Sequence, residues 1–72
     1  MKPTAPGWYW YQIEKEWVPR EVVIAKDTEY VDGGLAQMGD LLVWIPTEDG
    51  YTLTLISTMK GQWGPLCTGR PE

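Results

Sequence analysis

Pro6-Gly7-Trp8-Tyr9-Trp10-Tyr11-Gln12-Ile13 sets four consecutive aromatic rings directly after a Pro-Gly step. Trp and Tyr favour pleated backbone, and Pro and Gly punctuate its start, so the stretch predicts a β-strand over residues 8–14. Successive side chains of a strand point to opposite faces. Trp8 and Trp10 therefore share one face, and Tyr9 and Tyr11 the other. A half-exposed strand needs one apolar face, whereas this one carries large rings on both. Its second face must be covered by another element or serve as a recognition surface.

Working outward, Glu14-Lys15-Glu16 reads as a tight connection, although it lacks the usual Gly or Asn. Residues 17–26 read as a second strand, with β-branched Val22, Val23 and Ile24. Pro19 has no amide hydrogen, which places the first half of that strand at an edge or a bulge. Residues 41–46 and 51–58 read as strands three and four, joined by Thr47-Glu48-Asp49-Gly50, the strongest turn signal in the chain. In strand four, Tyr51, Leu53 and Leu55 alternate with Thr52, Thr54 and Thr58, and Ile56 interrupts the polar face. Lys60-Gly61 makes another turn, and Gln62-Trp63 opens a short fifth strand that Pro65 ends. Four to five short strands with mostly tight turns predict an all-β fold, a small antiparallel meander or an SH3-like barrel. Residues 1–7 read as an extended lead-in, 8–65 as a single β domain and 66–72 as a tail. Segment 27–40, acidic and glycine-containing, reads as an irregular loop with one helical turn over Leu35 to Met38. The expected core is Tyr11, Ile13, Val22, Ile24, Val43, Leu53 and Leu55, with one or two tryptophans.

At 72 residues the chain is one domain. A chain this short buries only about 60% of its unfolded surface and leans on extra devices for stability. Cys67 is the single cysteine and there is no histidine, so an internal disulfide is excluded and a structural zinc site is not expected. Dense aromatic packing and homo-oligomerisation are left. Ten acidic residues against six basic give a formal charge of −4, which argues against binding bulk DNA. No run is long enough to span a bilayer, and Met1 to Pro6 lack the apolar stretch of a signal peptide. A cytoplasmic location without membrane contact is the expectation.

Catalytic patterns are missing. Without histidine there is no Ser-His or Cys-His arrangement, and Cys67 has no evident base, so the protein is expected not to be an enzyme and to need no cofactor. Glu14, Glu16 and Glu21 read as a solvated strand face. Asp27, Glu29 and Asp32 before Gly33-Gly34 do not match calcium-loop spacing. Asp40 stands where a phosphate loop would need Lys-Ser or Lys-Thr. The aromatic set is the remaining signal. Each buried ring hides about 150–250 Å², more in total than one small core takes up. The surplus rings either fill an interface between copies or form a recognition site. The candidate binding residues are Trp8, Trp10, Trp17, Arg20, Trp44 and Lys60, because a cation beside indoles pairs with a phosphate or with a partner's carboxylate.

The layout Pro6-Gly7-Trp8-Tyr9-Trp10, then Trp17-Val18-Pro19 before an aliphatic strand, then Gln62-Trp63-Gly64-Pro65, resembles a group of short β-rich proteins encoded by phages and prophages. The resemblance covers about residues 6–65 and brings no catalytic residues with it. It implies a phage protein acting in the host cytoplasm, as an accessory factor that inhibits host antiviral defence. The partner would be a host or defence protein, or a small nucleotide messenger held in sequestration. A virion structural or assembly role, and single-strand nucleic-acid binding by a small barrel, are the alternatives.

Overall fold

The computed structural model describes residues 2–66. Seven strands follow one another: β1 (Gly7–Ile13), β2 (Glu16–Ile24), β3 (Glu29–Val31), β4 (Gly34–Ala36), β5 (Leu41–Thr47), β6 (Gly50–Leu55) and β7 (Gln62–Leu66), with a 3-10 turn over Ile56–Thr58. Five of them form one antiparallel sheet in the order β6-β5-β2-β1-β7, and β3 and β4 pair separately. The fold is all-β, as expected. Strands β1, β2, β5 and β6 make a meander, and β7 returns to flank β1. The sheet stays open, with β6 and β7 as its two edges.

β1 and β2 pair with Tyr9 opposite Arg20, Tyr11 opposite Val18 and Ile13 opposite Glu16. Their connection is therefore the two residues Glu14-Lys15, and Glu14 takes the left-handed region at φ 56°. β5 and β6 pair from Leu42–Leu55 to Thr47–Gly50, which leaves Glu48-Asp49 as a two-residue loop. Gly50 closes that loop at φ 129°, the positive angle its Asp-Gly step predicts.

The alternation of β1 organises the molecule. Tyr11 is buried with Val22, Val43 and Trp63, and Tyr9, Val18, Leu41, Ile45, Ile56 and Met59 pack around them. The Trp63 ring lies 4.6 Å from that of Tyr11 and meets Tyr9 edge-on at 6.4 Å. Ile56 and Met59 belong to the segment that carries the chain over this face, from the β6 edge to the β7 edge. Trp8 and Trp10 are turned the other way and are exposed.

The opposite face is covered at one end only. There Ala25, Ala36 and Leu42 are buried, with Val23, Val31, Leu53 and Leu55 against them. The cover is the β3–β4 hairpin, which corrects the expectation of an irregular loop with a helical turn over 27–40. Val31 pairs with Gly34, so Asp32-Gly33 is a two-residue hairpin turn. Asp32 also bridges β6 in parallel: its amide donates to the Leu53 carbonyl and its carbonyl accepts from the Leu55 amide, both at 3.0 Å.

Several expected core positions move. Ile13 and Ile24 are the last residues of their strands, where the sheet runs out, and both are exposed. Leu53 and Leu55 join the second cluster rather than the first. Thr54, on the threonine face that Ile56 interrupts, is buried on the Val43 side. β6 stops at Leu55 because the chain tightens into the 3-10 turn. β7 runs through Pro65 to Leu66, which an edge strand tolerates because no second neighbour needs the missing amide. Cys67 and the rest of the expected tail lie outside the described residues.

Candidate binding cleft

Four of the five tryptophans, Trp8, Trp10, Trp17 and Trp44, are exposed, and Trp63 alone is buried. The register explains where they meet. Trp8 is the cross-strand partner of Glu21. β2 pairs with β5 only from Val22–Val43 to Ile24–Leu41. Continuing that register sets Trp44 opposite Glu21 and Pro46 opposite Pro19. Both prolines lack an amide hydrogen and cannot donate to a ladder, so the strands part where they stand. On β6, Tyr51 is the partner of Pro46.

The result is two neighbouring rows on one sheet face: Trp8–Glu21–Trp44, and Pro19–Pro46–Tyr51. Between them lies a cleft of about 570 Å³, bordered also by Arg20. That volume falls within the range of small-ligand and anchor-residue sites. Trp8 is 38% and Trp44 37% exposed, so both keep part of their surface open to solvent. The aromatic pairs in contact among the described residues are Tyr9–Trp63 and Tyr11–Trp63, so the cleft rings do not stack on one another.

Arg20 stands opposite Tyr9, which assigns it by alternation to the Tyr9 face, and it borders the cleft where β2 and β5 separate. Its Nη1 donates to the Pro19 carbonyl at 2.9 Å, and its Nε is buried without a hydrogen-bond partner. Glu21 is half-buried as a residue. It takes no part in the side-chain hydrogen bonds formed among the described residues.

The fold thus gathers Trp8, Arg20 and Trp44 from the six candidates. Trp10 and Trp17 line a second, shallower depression of about 340 Å³ with Pro65. Lys60 lies between the 3-10 turn and β7 and borders neither. Glu21, Pro19, Pro46 and Tyr51 complete the main cleft and were not singled out from the sequence. The parity of β1 and β2 held a signal for Glu21, since a two-residue turn at Glu14-Lys15 sets it beside Trp8.

The lining of the main cleft holds no Ser, Thr, Cys, Lys or His. It offers two indoles, a phenol ring, two pyrrolidine rings, the Glu21 carboxylate and, at its border, the Arg20 side chain, chemistry suited to seating a flat, polar-edged group. Among the described residues, no helix is long and apolar enough to cross a membrane. Comparison of the chain with protein-family models, with curated proteins and with solved structures found no match.

Proposed function

We propose that this protein works by binding, as a non-enzymatic, phage-type accessory factor in the host cytoplasm that inhibits antiviral defence by docking on a protein. The observation that carries the reading is the placement of Trp8 and Trp44 on either side of Glu21, both part-exposed, in a cleft of about 570 Å³. Rings of this kind dominate the energetics of protein interfaces. A nucleotide messenger fits less well. Its phosphates would find one arginine whose Nη1 is already engaged, a carboxylate, and a chain of formal charge −4. The second depression, at Trp10, Trp17 and Pro65, supports self-association into a homo-oligomer through a different patch.

The test is co-purification from a phage host, read by native mass spectrometry, with wild type, Trp8→Ala and Trp44→Ala. The expected result is a stoichiometric host protein retained by wild type and lost from both variants, whose circular dichroism remains that of wild type. Recovery of a bound nucleotide instead, or equal retention by all three, overturns the reading. Light scattering of wild type reports self-association, and a clean 8.2 kDa monomer at high concentration sinks that part.

A further inference from the structure

We infer that the Trp8–Trp44 cleft takes a positively charged side chain, an arginine, from a basic segment of the protein partner. The inference rests on reading the cleft as a protein-docking site and names what it accepts.

Glu21 is the acid of the cleft. Trp8 pairs with Glu21, the β2–β5 register continued by one residue sets Trp44 beside it, and all three line the cleft. Arg20, the nearest cation to Glu21 in sequence, belongs to the other face by alternation, reaches only the border of the cleft and donates Nη1 to the Pro19 carbonyl. Without a side-chain hydrogen bond among the described residues, the Glu21 carboxylate is open to an incoming cation, and the low-dielectric rings beside it strengthen that attraction. Indole faces carry negative electrostatic potential and attract cations in the same place. Carboxylate and rings therefore favour one guest rather than two competing ones.

The shape of the guest follows from the walls. A guanidinium is planar, stacks on an aromatic face and forms paired hydrogen bonds to a carboxylate, which a lysine ammonium does not. A neutral apolar guest would dry the Glu21 carboxylate without pairing it. An anionic guest would meet that carboxylate directly. Beyond the cleft, the formal charge of −4 draws a basic segment in from a distance. The volume of about 570 Å³ leaves room for an arginine and the backbone on either side of it.

The experiment titrates the peptide Ac-Gly-Arg-Gly-NH2 and its citrulline counterpart, a neutral near-isostere, into the isotope-labelled full chain followed by NMR. The indole N–H signals of Trp8 and Trp44 should shift and saturate with the arginine peptide. The citrulline peptide should bind about tenfold more weakly, the equivalent of about 1.4 kcal/mol. Glu21→Gln should weaken the arginine peptide by a similar factor while the buried Trp63 indole signal stays in place, which separates lost binding from lost fold. Equal binding of the two peptides, an unaffected Glu21→Gln, shifts confined to Trp10 and Trp17, or no saturable shift would each overturn the inference. The co-purified host protein tells the two readings apart. Loss with Trp44→Ala but full retention with Glu21→Gln overturns the arginine anchor and leaves the protein-docking reading standing. Retention with both overturns the docking reading itself.

Discussion

The backbone amide of Gly61 donates a hydrogen bond to the Tyr11 hydroxyl at 2.7 Å across 50 residues of sequence. It ties the return segment before β7 to the middle of β1. The approach is close enough that a Cβ at Gly61 would lie 2.5 Å from Tyr11 Oη and 2.6 Å from the Gln12 carbonyl oxygen. One of these obstacles is backbone and cannot turn aside.

Tyr11→Phe should therefore cost about 1–3 kcal/mol, since it strands the part-buried Gly61 amide as well as removing a bond. Gly61→Ala should cost more, because the return segment must move off β1. Urea unfolding reads both as lower midpoints, and Gly61→Ala with a midpoint equal to wild type would refute the close approach.

The β1–β2 turn predicts a gain. Glu14 sits at φ 56°, a region that costs an L-residue roughly 1–2 kcal/mol. Glycine avoids that cost but gives back about 0.5–1 kcal/mol in chain entropy. Glu14→Gly should stabilise by about 0.5–1 kcal/mol, visible as a higher melting temperature. A lower one would show that the glutamate side chain contributes something else to the turn.

Gly50 predicts the opposite sign. A Cβ there would meet nothing within 4 Å, so any effect of substitution comes from backbone conformation alone at φ 129°. Gly50→Val should destabilise by more than about 1 kcal/mol. An unchanged melting temperature would mean that the turn tolerates a β-branched residue.

Two tryptophans of the same size should behave in opposite ways. Trp63 is 5% exposed and Trp17 46%. Trp63→Ala should cost about 3–5 kcal/mol, a large part of the total stability of a domain this small. Trp17→Ala should cost less than about 1 kcal/mol. Denaturant midpoints compare them directly, and similar losses would mean that Trp17 is part of the core in solution.

Much of this architecture is legible in the chain because the side-chain period of a strand is local. Trp8 and Trp10 fall on one face and Tyr9 and Tyr11 on the other by alternation alone. Asp49-Gly50 marks its hairpin by the conformation that only the second residue takes easily. The hairpin of β3 and β4 is harder to see, because strands of three residues show no periodicity. Asp32-Gly33 carries the same turn chemistry as Asp49-Gly50 but lacks long apolar runs on either side. Ile56, interrupting the threonine face of residues 51–58, is the local sign that this side is covered, and Thr54 is buried there. The cleft depends on pairing between β2 and β5, which are separated in sequence by the whole hairpin. Glu21 therefore reads as one more surface acid until Trp44 is set beside it.

The bridge from Asp32 to β6 has a consequence for a chain that displays so many rings. An open sheet ordinarily presents a bare row of donors and acceptors along each outer strand, a template on which further copies stack into fibrils. Here the Leu53 carbonyl and the Leu55 amide are already occupied by Asp32, within the chain itself. At the far side, β7 carries Pro65, which has no hydrogen to give. Both routes to endless strand addition are interrupted, while Trp8, Trp10, Trp17 and Trp44 stay exposed on the sheet face.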